Sequence, residues 1–251
     1  KKKKKKRDRG KKGKFRETMW FMESVDPDSM AAAEQRLDMI SQNIANASAR
    51  GFKRQVGSIH SFETMVEGET RRGQVLNKVW DFAQGELVQT GVATDLALMG
   101  DGFFAFEQGE EVVYSRDGAM RVTDEGDLVT KEGHPIVWSD RSGQLDANQP
   151  DLRIDPEGNV FQGVERIGAL QLVDFTDKSK LQLGQDGYYH AQPGLAEEVP
   201  TAEVHSGFYE AANTQPVHEM IEMILAQRAY ESASNTVSQI ADSYRRLTQS
   251  A

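Results

Sequence analysis

The two ends of this chain carry apolar stripes of one kind, and the middle does not. Near the start, Met30, Ala33, Leu37, Ile40, Ile44 and Ala47 recur at steps of 3, 4, 3, 4 and 3. Near the end, Met223, Ala226, Tyr230, Ala233, Val237, Ile240, Tyr244 and Leu247 keep the same alternation. A 3/4 alternation lays one narrow seam along an α-helix, the a/d seam of a coiled coil. Two such helices, separated by about 170 residues of a different pattern, predict a chain whose ends meet. Their seams can be buried within the chain, against copies of it, or against other subunits. That arrangement points to assembly rather than catalysis.

Local signals set the helix limits. Pro27 lacks an N–H and disfavours the α conformation at Asp26, so no regular helix runs through it. Asp28 or Ser29 can cap a helix predicted over 29–48, which ends at the Asn- and Gly-marked run Asn46–Gly51. At the other end Asn213 or Thr214 can cap, Pro216 suits the first turn, and the helix is predicted over 216–248. Its first turns carry Val217, Met220, Ile221, Ile224 and Leu225, a face broader than the later seam, which predicts more than one neighbour.

Between the helices, residues 88–200 read as antiparallel β. Short runs such as Leu96–Met99, Phe103–Phe106, Val112–Ser115 and Leu170–Val173 are bounded by Gly/Asp punctuation. No helix of 10 or more residues is evident there, which argues against a parallel βαβ sheet. Residues 51–87 are less regular, with Gly68–Gly73 read as a loop. The predicted fold class is α+β: N- and C-terminal α-helices packing coiled-coil-like, with a mainly antiparallel β central domain. The expected divisions are a basic extension (1–18), a helical segment (19–50), an extended or β region (51–87), the β domain (88–203) and a second helical segment (204–251).

Charge is unevenly spread. The first 16 residues hold 12 Lys/Arg against Asp8 alone, while the remaining 235 hold 18 Lys/Arg and 38 Asp/Glu. The acidic body disfavours nucleic-acid binding. The basic run cannot build a core and is read as a solvated extension. With no cysteine, disulfides and thiolate metal sites are excluded. No run approaches the ~20 apolar residues needed to span a bilayer. Trp20-Phe21-Met22 meets Glu23 at once, so the apolar region of a cleaved signal peptide is missing.

No catalytic, metal or cofactor site is predicted. His60, His134, His190, His205 and His218 lack the i, i+4 spacing of a helical metal pair. Asp117-Gly118, Asp124–Asp127, Asp155–Asn159 and Asp186-Gly187 lack the alternating ligands of a calcium loop, and read as turns. Gly100-Asp101-Gly102 lacks the Lys-Ser/Thr ending of a phosphate loop.

Four stretches stand out as motifs, in order along the chain. The first is Ser41–Arg54, in which Asn43 and Asn46 lead into the turn Gly51-Phe52-Lys53. The second runs from Gly85-Glu86-Leu87 to Gly100-Asp101-Gly102-Phe103-Phe104. The third is Tyr114-Ser115-Arg116-Asp117-Gly118 with Gly126–Gly133, and the fourth is Glu219–Glu231, including Gln227-Arg228-Ala229-Tyr230-Glu231. In this order the four stretches resemble the bacterial flagellar basal-body rod and hook protein family, from which the chain departs at Val25–Ser29 and at Asn213–Pro216. The stretch of about 34 residues before Gly85 is similar to that of the proximal-rod branch.

The resemblance implies a structural axial subunit of the rod, with no enzymatic activity and no cofactor. Its partners would be other rod subunits, copies of itself in a helical assembly, and the flagellar type III export apparatus; nucleic acid and membrane insertion are not expected. The implied location is the basal body, where the rod crosses the periplasm and carries torque from motor to hook, after export without signal cleavage. Residues 1–18 precede the family's usual start. An isolated monomer is expected to have a folded middle and mobile ends. The alternatives are a distal-rod or other hook-family subunit, and a non-filamentous periplasmic β-domain binding module with a helical hairpin.

Overall fold

The computed structural model describes residues 27–66, 69–147, 149 and 151–249; the side chains of 27–29, 59, 61–74, 240, 244 and 247 lie outside that description. The chain divides into two compact units, one drawn from the terminal segments and 55–79, the other from 45–54 and 80–215.

The terminal unit contains α1 (Pro27–Ala45), a hairpin of β1 (Arg54–Val66) and β2 (Glu69–Asp81), and the long α2 (Pro216–Gln249). α1 begins two residues before the expected 29, because proline's fixed φ and missing N–H suit the first helical position. It stops at Ala45, so Ala47, read as the last seam residue, sits in the turn beyond it. The loop expected over Gly68–Gly73 is corrected for 69–73, which belong to the continuous strand β2.

Met39 and Ile40 of α1 are buried with Ala226 of α2, flanked by Leu37, Ile44 and Met223. The hairpin is held close by Gly57, where an added Cβ would lie 2.8 Å from Leu76 and 3.1 Å from Met39. Arg36 meets Glu222 at 2.7 Å, and the Tyr230 hydroxyl donates to Glu34 at 3.1 Å. Residue numbers rise along α1 as they fall along α2, so the helices run antiparallel.

The central unit is built from short antiparallel strands. In chain order they are β3 (Leu87–Gln89), β4 (Asp95–Met99), β5 (Phe103–Gln108), β6 (Glu111–Ser115), β7 (Gly118–Ala119), β8 (Arg121–Val122), β9 (Leu128–Val129), β10 (Trp138–Arg141) and β11 (Leu152–Ile154). They continue as β12 (Asn159–Gln162), β13 (Glu165–Leu170), β14 (Leu172–Phe175), β15 (Leu181–Leu183), β16 (Tyr189–Ala191), β17 (Glu197–Glu198), β18 (Glu203–Ser206) and β19 (Phe208–Glu210). A six-stranded sheet runs β15-β16-β6-β5-β14-β17, beside a four-stranded sheet β10-β13-β12-β11 and a three-stranded sheet β18-β4-β7. The only helical turn described inside this unit is the 3-10 turn Lys178–Lys180.

β5 explains how the core is divided. Successive side chains of a strand point to opposite faces. Phe104 and Phe106 therefore join Leu96, Leu98, Val113, Leu128, Ile136, Val160 and Val204. Phe103 and Ala105 face the other way, toward Tyr114, Val173, Phe175, Leu181 and Tyr189. A strand buried on both faces reads as a continuous apolar run, and Phe103–Phe106 is one. Three of the Asp/Gly clusters are turns with glycine in the left-handed region, at Gly126, Gly158 and Gly187. Asp117-Gly118 instead forms an Asx bend, in which the Asp117 carboxylate accepts from the Ala119 N–H at 3.0 Å.

Candidate functional site

The residues singled out from the sequence fall into a buried polar anchor and a helical surface, not a catalytic constellation. The anchor lies in the central unit, around the turn after α1. Gly51 adopts φ +65, and a Cβ there would stand 2.5 Å from the Arg116 carbonyl carbon. Its N–H donates to the Glu210 carbonyl at 2.7 Å. Only glycine meets both demands without strain. Phe52 sets its ring edge against Trp80 at 6.3 Å.

The next residue, Lys53, is 1% exposed. Its ammonium donates to Glu210 Oε1 at 2.6 Å and to the Ala83 carbonyl at 2.8 Å. Arg116 reaches the other oxygen, Nε to Glu210 Oε2 at 2.8 Å, and extends Nη1 to the carbonyls of Gly100 at 2.9 Å and Gly102 at 2.7 Å. The Gly85 N–H adds a further bond to Glu210 Oε1 at 2.8 Å. One buried carboxylate thus ties the Gly51-Phe52-Lys53 turn and the segment after β2 to strand β19, and through Arg116 reaches the turn before β5. Burial holds the Lys53 ammonium below the usual lysine range, with Glu210 pulling it back up. Breaking such a pair on one side leaves a stranded charge, at a cost of about 3–5 kcal/mol.

Asn213 closes the same region. Its Oδ1 accepts from the Arg54 N–H at 2.7 Å, and its Nδ2 donates to the carbonyls of Asp81 at 2.7 Å and Ala83 at 3.0 Å. The amide expected to cap α2 is therefore used elsewhere. Thr214, the other expected cap, is buried, and its Oγ1 has no hydrogen-bond partner among the described residues.

The helical surface lies in the terminal unit. On α1, Ile40 is buried, and Met30, Ala33, Leu37 and Ile44 are half-buried. On α2, Ala226 is buried, and Met223, Tyr230 and Ala233 are half-buried. Val217 is 72% exposed, Met220 51%, Ile221 52%, Ile224 52% and Leu225 53%. Val237 is also exposed; the side chains of Ile240, Tyr244 and Leu247 lie outside the described residues. Gln227, Arg228 and Glu231 are exposed, while Gly102 and Phe103 are buried in the central unit. The α1 seam is wider than the 3/4 pattern, since Ala32 and Met39 are buried as well. Arg116, Glu210 and Glu219 were not singled out as site residues. Arg116 and Glu219 were visible as members of matched motifs, whereas Glu210 carried no signal of its own.

Among the described residues no group of three or more His, Asp or Glu side chains converges as a metal would require, and no helix is long and apolar enough to cross a membrane.

Three family descriptions match the chain: "Flagella basal body rod protein" over residues 29–53, "Flagellar hook protein FlgE/F/G D1 domain" over 97–162, and "Flagellar basal body rod FlgEFG protein C-terminal" over 205–250. The chain is 33% identical over 217 residues to the flagellar basal-body rod protein FlgF of Caulobacter vibrioides, covering 83% of this chain and 88% of that protein. It is 32% identical to FlgF of Mesorhizobium japonicum, over 84% and 90% of the two chains. To FlgG of Buchnera aphidicola it is 28% identical, over 90% and 97%. The matched regions hold both helices, the Gly51-Phe52-Lys53 turn and the two cations that clasp Glu210: the chain belongs to the family of flagellar basal-body rod proteins.

Proposed function

We propose that this chain is a structural subunit of the bacterial flagellar rod, nearest the proximal, FlgF-like branch, and that it assembles through its terminal helices. The observation that carries this is the apolar strip Val217, Met220, Ile221, Ile224 and Leu225. It lies on the same helix as Met223 and Ala226, which pack on α1. α2 therefore offers one face within its own chain and a second face outward. Helical stacking of subunits is a heterologous, non-closing contact, and an outward apolar face gives such a contact something to bury. In this reading α1 and α2 pack coiled-coil-like into the inner layer of the rod, and the β domain forms the outer layer. Of the expected helical segments 19–50 and 204–251, residues 19–26 lie outside the described residues, and 204–206 and 208–210 belong to β18 and β19. The partners are other rod subunits and further copies of this chain. Delivery is by the type III export apparatus without signal cleavage, the location is the basal body across the periplasm, and the load is torque. The basic extension expected over residues 1–18 lies outside the described residues.

The test is a paired substitution, Ile221→Asp with Ile224→Asp. Both side chains are about half exposed, so the purified variant should keep its thermal midpoint. In cells lacking the parent protein it should fail to restore basal-body incorporation and swimming. Normal incorporation by a folded variant would refute the proposal.

A further inference from the structure

We infer that Asn43 and Glu219 form the polar lock that fixes the register of α1 against α2. The apolar seam cannot do this alone. Leu37, Ile40 and Ile44 meet Met223 and Ala226, and apolar side chains have no directional preference. A slip of one turn would carry α2 by about 5.4 Å and place apolar residues opposite apolar residues again.

One layer of the pair is different. Asn43 is 0% exposed and Glu219 1%. The Asn43 amide is itself fixed: its Nδ2 donates to the Gln55 carbonyl at 2.9 Å, and its Oδ1 accepts from the Gln55 N–H at 2.9 Å. These two bonds imitate a strand pairing and hold the end of α1 to the start of β1. The same Nδ2 reaches Glu219 Oε2 at 3.3 Å in the first turn of α2. In a slipped register Glu219 would face the aliphatic side chains of the seam and lose this partner while still buried. The slipped state is thus penalised at the buried layer of the pair, where water cannot stand in for the lost bond. A single buried polar residue sets register in coiled coils by the same logic, at some cost in stability. The Arg36–Glu222 pair reinforces the alignment, but its side chains are 40% and 26% exposed, so water can replace it.

The lock concerns one chain and does not depend on rod assembly, so a lone-chain measurement separates the two. The sequence contains no cysteine, so Ser41→Cys and Ser232→Cys, both on exposed positions, give a unique pair for nitroxide labels. Their separation by pulsed electron resonance should be a single narrow distance in the parent chain. Glu219→Leu should keep a cooperative thermal transition at the same or a higher midpoint, and should add a second distance displaced by about 5.4 Å. Glu219→Gln, whose side-chain carbonyl still accepts from Asn43, should show one distance. A single distance in Glu219→Leu, several distances in the parent, or loss of cooperative unfolding in Glu219→Leu would each overturn the inference.

Discussion

Glu210 shows what one side chain can organise. It is fully buried, and its two oxygens receive Lys53, Arg116 and the Gly85 N–H. Lys53→Met removes one cation and the bond to the Ala83 carbonyl, yet leaves Arg116 on the carboxylate. A loss of about 3 kcal/mol is expected, at the low end for a broken buried pair because one cation survives. Denaturant titration of the central unit would check it, and a change below about 1 kcal/mol would show that water reaches the carboxylate.

Tyr114 provides a pH probe of the same core. Burial, helped by the hydrogen bond it donates to Glu197 at 3.0 Å, pushes its phenol up to about 12. A raised folded-state pKa favours the protonated form. Its contribution is therefore complete below the unfolded value of about 10 and is lost as pH rises from there toward 12. Tyr188 and Tyr189 are displaced in the same direction by burial. Stability should fall with rising pH above about 10, and Tyr114→Phe should make that fall shallower. An unchanged slope in the variant would place the titration elsewhere.

Among the elements, the helices were more legible than their partners. The 3/4 pattern located both, and Pro216 marked the first residue of α2, whereas α1 starts at Pro27, two residues before the expected position. Periodicity also picked out Ile40 and Ala226, because burial on a helix follows the helical repeat. It could not find Asn43 or Glu219 as buried residues, since a polar residue in a seam breaks the pattern that identifies the seam. It could not find the Glu210 anchor either: Lys53, Arg116 and Glu210 are brought together by strand topology, which leaves no spacing in the sequence. The β1–β2 hairpin was half seen, because the glycines and charges of 68–73 resemble a loop when read locally.

The same view of α2 yields a prediction. Its contacts with α1 run from Glu219 to Tyr230, and beyond Ser234 the side chains that are described on it are exposed. In the lone chain, amide hydrogen exchange should be fastest over 235–249, slower over 219–234, and slowest in β4, β5 and β6. Equal protection along the whole of α2 would mean that its far half has a partner within the chain.

For the whole molecule, the two units differ in the size of the buried clusters among their described residues. In the terminal unit, helices of 19 and 34 residues share a buried cluster of Met39, Ile40 and Ala226. The central unit has two clusters, with Phe103, Phe104, Phe106, Tyr114, Phe175 and Tyr189 among their members. Such an imbalance suits the proposed assembly, in which a helical pair already in register gains further packing through the outward face of α2. In urea the lone chain should lose its helical circular dichroism first, while the near-ultraviolet signal of the aromatic core persists to higher concentration. The second transition should have the larger slope, because the slope grows with the surface exposed. A single coincident transition by both probes would show that the terminal helices draw their stability from the β domain, and the coupling to neighbours would have to be sought elsewhere.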